Sequence, residues 1–254
     1  MSRTVLVTGS ANGIGAATSA FLAARGDRVV GLDLRNADIC ADLRTAEGRA
    51  SAIGQALSLC GDSLDAVVAC AGLAGADVAG MIGVNYFGTV ALIEGLRAAL
   101  ARSAAPRVAV ITSSATILPT DPGIVAACLA GDEVAAVAGG EADPNLAYAS
   151  TKRALSRWIR RNAILPEWAG SGILLNGIAP GTVLTAMTAP ILSTPEGRAM
   201  LAEATPIAVA DYARPEDIAP LLGFLASEEC RYLVGQVIFI DGGKDAIRRG
   251  DDIY

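Results

Sequence analysis

Apolar residues fall into short unbroken runs separated by longer stretches in which they recur every three or four positions. The runs cover 4–8, 28–32, 64–69, 107–112, 173–178 and 236–240. They are continuous rather than alternating, as expected of strands covered on both faces. A weaker run, 39–41, precedes Asp42. Stretches 15–25, 44–59, 84–102, 148–163 and 215–227 carry helical spacing. Strand and helix alternating in this way predict an α/β fold, a doubly wound parallel sheet of about seven strands. Right-handed crossovers then bring the C-terminal ends of the strands to one rim, where ligands bind. Two segments interrupt the alternation: 118–145, rich in Ala and Gly, and 184–214, punctuated by prolines. Residues 244–254 are mostly polar and predict a surface tail, or one lying on a partner subunit. No Pro-, Ser- or charge-rich linker divides the chain, so 1–254 reads as one domain.

Composition narrows the chemistry. Of 254 residues, 52% are hydrophobic and only 4% aromatic, so the core is expected to be aliphatic. A net charge of −6 lacks the basic excess that nucleic acid or an anionic membrane would call for. The five cysteines, at 40, 60, 70, 128 and 230, show no metal-type spacing and read as small buried hydrophobes of a reducing cytosol. There is no histidine, which excludes Ser-His-Asp and Cys-His catalysis and most zinc sites; no metal is expected. The first residues run straight into a strand with no signal-type segment, and the expected location is the cytoplasm.

Two patterns carry function. After the first strand, Gly9, Gly13 and Gly15 punctuate a turn that also holds Asn12 and Ile14. A glycine turn between strand and helix lets backbone approach a pyrophosphate, which the helix N-terminus then favours. Asp33 ends the second strand 18 residues beyond Gly15, near the spacing of the carboxylate that bonds the adenosine ribose. Such a carboxylate selects NAD and repels the 2′-phosphate of NADP, although Arg35 offers that phosphate a partner. Asp42 and Leu43 follow the short third strand as adenine contacts, or as a solvated loop.

The second pattern is Tyr148 and Lys152, four apart on one helical face. A neighbouring ammonium favours a phenolate, so the pair is a general acid/base that needs no histidine. Ser113 and Ser114 end the strand before it on the ligand rim, placing a hydroxyl beside the substrate oxygen. Asn85 sits in an apolar helix and must find partners; a water bridging it to Lys152 would satisfy both.

These pieces, with Cys70-Ala71-Gly72, Asn176, Pro180-Gly181 and Asp241-Gly242-Gly243, resemble the short-chain dehydrogenase/reductase family over nearly the whole chain. The resemblance implies a Rossmann-like domain, an NAD(H) cofactor and alcohol–carbonyl interconversion. It assigns proton transfer to Tyr148, substrate orientation to Ser114, ribose binding and phenol activation to Lys152, and a relay water to Asn85. It places the cofactor against Gly9, Asn12, Gly13, Ile14, Gly15, Asp33, Asp42, Leu43, Cys70, Ala71, Gly72, Pro180, Gly181, Val183 and Thr185. Substrate is expected on Ser114, Ala115, Tyr148 and Met187. One departure is Cys70, where the family usually has Asn; a weaker hydrogen-bonder there puts a backbone clamp in doubt.

Segment 118–145 is longer than the family's usual spacing and predicts one added helix over 123–138. It covers a surface that in the family often contacts another subunit, so a homo-oligomer of dimeric form is expected rather than a tetramer. Segment 184–214 is expected to form a lid; Ala186, Met187, Pro190, Ile191 and Leu192 give it an apolar wall. That wall suits a hydroxysteroid or another bulky apolar alcohol, with an aryl alcohol of coniferyl type as the alternative. A cofactor-binding regulator that has lost activity is the competing class; it would have no need of Tyr148, Lys152 and the adjoining hydroxyl together.

Overall fold

The computed structural model describes residues 2–61 and 64–251. Seven strands, β1 (Thr4–Thr8), β2 (Arg28–Asp33), β3 (Ile39–Cys40), β4 (Ala66–Ala69), β5 (Arg107–Ile111), β6 (Leu174–Pro180) and β7 (Val237–Ile240), form one sheet. Its order is β3-β2-β1-β4-β5-β6-β7, with every pairing parallel. The winding direction reverses between β1 and β4, and that switch point opens the crevice in which such sheets bind ligands.

Alternation within a strand feeds both layers. In β1, Leu6 joins a core beneath the helices α2 (Ala46–Cys60), α4 (Thr89–Leu100) and α7 (Pro144–Asn162). Its neighbours Val5 and Val7 turn to the other face, packed with Leu22 of α1 (Gly13–Ala24) and Ile218, Leu222 and Leu225 of α10 (Pro215–Leu225). Gly223 lets these two helices meet, because a Cβ there would overlap the Phe21 ring.

Several predicted elements change on folding. The helix expected over 84–102 starts earlier, as α3 (Val78–Ile82) capped by Asp77, and passes through a π-helical turn at Gly83–Gly88 before α4. This run is apolar enough to cross a membrane by length and composition, but most of it is buried inside the protein as a core helix. The single helix expected over 123–138 is two, α5 (Pro122–Ala130) and α6 (Glu133–Ala142). Gly131, at φ +77°, ends the first in the left-handed conformation, and Asp132 restarts the chain by accepting from the Ala135 amide. Segment 184–214 carries α8 (Ala189–Leu192) and α9 (Pro195–Ala204). The polar tail expected at the surface forms α11 (Lys244–Arg249); Ala246, Ile247 and Arg248 are exposed, its first residue is 1% exposed, and 252–254 lie outside the described residues.

Candidate active site

The glycine turn is a cradle made of backbone. Gly9 (φ +67°) and Gly13 (φ +53°) occupy conformations that other residues rarely adopt. A Cβ on Gly9 would lie 2.9 Å from the Ala71 amide, and one on Gly15 would overlap the Gly9 carbonyl. Asn12 stands at the N-cap of α1 without bonding the helix, leaving its amide for a ligand. Thr8 ties this turn to the next one, its hydroxyl accepting from the amides of Cys70 (3.1 Å) and Ala71 (2.9 Å). The clamp put in doubt by Cys70 is thus supplied by Thr8 through the backbone. Burial pushes the Cys70 thiol up to about 12, so it stays neutral.

Asp33 accepts from the Ala11 amide at 3.0 Å and from its neighbour Leu34, so the carboxylate braces the glycine turn as well as facing the cleft. Asp42 is gripped by the Arg44 guanidinium at 2.7–3.0 Å, which holds its carboxyl below the usual range. Arg44 itself lines the cleft; Arg35 is not among the lining residues.

These groups border a cleft of about 410 Å³. Gly9, Asn12, Gly13, Ile14, Gly15, Asp33, Asp42 and Leu43 line it together with Cys70, Ala71, Gly72, Pro180, Gly181, Val183, Thr185 and Met187, and a Cβ on Gly13 would lie 3.3 Å from the Thr185 side chain. A cradle that any Cβ would fill, next to an open helix N-terminus and a carboxylate at the end of β2, fits a nicotinamide dinucleotide.

Tyr148 and Lys152 enter the same cleft from α7. That helix begins before Tyr148, with Asp143 as its cap and Pro144 in its first turn. Lys152 is 4% exposed, with its ammonium 6.0 Å from the Tyr148 ring centre and donating to the Ile111 carbonyl at 3.2 Å. Burial lowers it to about 8. Burial also raises the Tyr148 phenol, and the opposing influence is a hydrogen bond from Ser113. In the protein alone desolvation dominates at the phenol, and one N–H of the Lys152 ammonium is given to the Ile111 carbonyl.

The structure also corrects the choice of serine. Ser113 lines the cleft beside Tyr148, whereas Ser114 is 2% exposed and faces away, within 3.3 Å of the Lys244 ammonium. β5 ends at Ile111 and a 3₁₀ turn opens at Ser114, and this change of backbone turns the two adjacent serines to different sides. Ala115 is corrected likewise: it is not a cleft residue, and its amide donates to Ser113 Oγ at 3.1 Å. Asn85 is fully buried and also lies off the cleft. Its amide exchanges hydrogen bonds with the Leu73 backbone at 2.8 and 2.9 Å.

The sequence profile described as enoyl-(acyl carrier protein) reductase matches residues 9–245. The 3-alpha-hydroxysteroid dehydrogenase/carbonyl reductase of Comamonas testosteroni is 38% identical, with 96% of this chain and 97% of that one aligned. The chain belongs to the short-chain dehydrogenase/reductase family. The cis-4-hydroxycyclohexanecarboxylate dehydrogenase of Sinomonas cyclohexanicum is 32% identical, over 96% of this chain and 97% of that relative. Among solved structures, the 3-alpha-hydroxysteroid dehydrogenase of Pseudomonas sp. B-0831, complexed with NADH, superposes with a TM-score of 0.90 at 37% identity, covering 98% of this chain and 99% of that one.

This dehydrogenase/reductase also uses residues that the sequence pattern did not single out. Arg49 is buried and clamps Glu133 of α6 at 2.6 and 2.7 Å while donating to the carbonyls of Leu43, Arg44 and Gly83. It thereby ties the inserted helices to the cofactor loop and to the π-helical turn carrying Asn85. An arginine amid the helical spacing of 44–59 gave no sign of this, because Gly83 and Glu133 lie 34 and 84 residues away along the chain. Lys244 was hidden similarly, by the polar company it keeps in sequence.

Proposed function

We propose that this enzyme is NAD(H)-dependent and interconverts a ring-borne secondary alcohol and its ketone, with a hydroxysteroid or another bulky apolar compound as substrate. The observation that carries the reading is that Ser113, Tyr148 and Lys152 line the same cleft as the glycine cradle suited to a dinucleotide. When bound, the nicotinamide supplies or accepts the hydride. The chain does the rest. Ser113 Oγ holds the reacting oxygen, and Tyr148 Oη gives it a proton in reduction or takes one in oxidation. Lys152 places a cation at the same floor, where little water competes with it. Asp33 presents its carboxylate where the 2′-phosphate of NADP would otherwise sit, which favours NAD.

Ala186 and Met187 line the substrate end and give it an apolar wall. The two aligned relatives are named for substrates bearing a hydroxyl on a six-membered carbocycle, and that common element motivates the substrate class. The test is a panel of androsterone, cyclohexanol and coniferyl alcohol with NAD and with NADP, following absorbance of the reduced cofactor. Turnover of androsterone with NAD as the preferred cofactor is expected. Fastest turnover of coniferyl alcohol would move the reading to aryl alcohols. Tight NADH binding with no turnover of any carbonyl or alcohol would identify a regulator instead.

The added helices bear on assembly. Both α5 and α6 pack on α7, occupying a face that would otherwise be free for a second copy. A homodimer formed elsewhere on the surface is the proposed state, and a tetrameric mass in solution would refute it.

A further inference from the structure

The buried ammonium of Lys244 has no part in the chemistry above. It stands at the start of α11, after Gly242 (φ +66°) and Gly243 (φ +92°) turn the chain back from β7. The side chain is 1% exposed, and its nitrogen donates to the Ser114 carbonyl at 3.4 Å and the Ser114 hydroxyl at 3.3 Å. Among the described residues it forms no ion pair. Asp241, the carboxylate whose field reaches it, has both oxygens committed to amides, those of Gly243 at 3.0 Å and Asp245 at 2.8 Å.

A buried cation without an ion-pair partner costs stability, and an apolar chain of similar volume would not. Two long hydrogen bonds recover little of that cost. What they do is hold a particular piece of backbone. Ser114 opens the 3₁₀ turn Ser114–Ile117, and Ser113 is the residue before it. The Ser113 hydroxyl is fixed from its far side by the Ala115 amide. The turn is therefore gripped below by Lys244 while Ser113 faces Tyr148 above.

We propose that Lys244 is a positioning residue, pinning the Ser114 carbonyl and hydroxyl so that the adjacent Ser113 Oγ is aimed at the reacting oxygen. This rests on the reading of Ser113 and Tyr148 as the reacting pair. The expectation for Lys244→Met is a fall in kcat on the order of 10-fold, since small misplacements of a catalytic group are costly. KM and NADH affinity stay within about twofold, because neither cradle nor lid is touched. The melting temperature does not fall, because a desolvated charge has been removed. Ser114→Ala added to Lys244→Met costs nothing further, as both changes act through one contact.

The assay uses whichever panel alcohol the wild type oxidises fastest, with NADH affinity followed by cofactor fluorescence and stability by thermal melting. An unchanged kcat in Lys244→Met overturns the proposal. So does a loss of kcat matched by losses of melting temperature and NADH affinity, which would make Lys244 a packing residue. Should that variant not fold, Ser114→Ala alone carries the test: kcat falls with NADH affinity intact, or the proposal fails. A wild type with no turnover on any alcohol defeats the reading of the site and the proposal with it. A wild type that turns over and a Lys244→Met that matches it defeats the proposal alone.

Discussion

The two ends of the cleft are built from different materials. At the dinucleotide end the walls are main chain: Gly9 closes against Ala71 and Gly15 against Gly9, with β1 buried behind them. At the substrate end the wall is side chain. Ala186 and Met187 line the cleft there, and Met187 is 43% exposed. A wall of backbone cannot be retuned without refolding the turn, whereas a wall of exposed side chains can be exchanged at small cost in stability. One end thus fixes the cofactor class while the other leaves the substrate open. The same cleft also carries polar groups, Ser113, Tyr148 and Lys152, which are the proposed reacting set.

The reacting set gives the largest test of that division. Tyr148→Phe removes one hydroxyl, and kcat should fall by about 10³-fold, within the range for a lost general acid/base. NADH affinity should remain within about twofold, measured by fluorescence titration. A parallel loss of cofactor binding would show that reacting set and cradle are not separate. Ser113→Ala should follow with a loss of about 100-fold in kcat, comparable to deleting one hydrogen-bond donor to a reacting oxygen. Ser114→Ala should lose less than about 10-fold, since its hydroxyl points to Lys244. The opposite ranking would put the reacting hydroxyl on the wrong serine.

The same division explains what could be read in the sequence. Backbone-built features announce themselves, because glycine spacing, a carboxylate at a strand end and unbroken Val/Ile runs are dictated locally. Hence β1 was legible to the residue, and the cradle from Gly9 to Gly15 was legible with it. Tyr148 and Lys152 were legible because one helix holds both. The choice between Ser113 and Ser114 was not, since it depends on where β5 ends and on which way the next turn twists. Asn85 was recognised as a buried amide needing partners, but those partners, the Leu73 backbone, lie across a loop. Lys244 was missed because burial of a lysine is decided by tertiary packing against the turn at Ser114. The break at Gly131 was missed because glycine within an Ala-rich stretch fits either one helix or two.

The cradle itself is probed by Asp33→Ala. The carboxylate both meets the cofactor end and accepts from the Ala11 amide, so its removal should weaken NADH binding by about 10-fold, the scale of a charged hydrogen bond. NADPH, no longer repelled, should lose less, and the preference between the two cofactors should narrow. An unchanged ratio of kcat/KM for NAD and NADP would show that Asp33 braces the turn without reading the ribose.

The smallest effect is expected where the wall is most exposed. Met187→Ala removes apolar surface from the substrate end, but a half-exposed side chain has less to lose than a buried one. KM for a steroid alcohol should rise about threefold to fivefold, below the range for one methylene in an enclosed pocket. KM for cyclohexanol should rise less, because a smaller ring reaches less of that wall. The melting temperature should hardly move, since no core contact is broken. These three readings separate a substrate wall from a structural lid. A lid packed for stability would lose melting temperature and affect both alcohols alike, and the two ends of the cleft would then be less different than their materials imply.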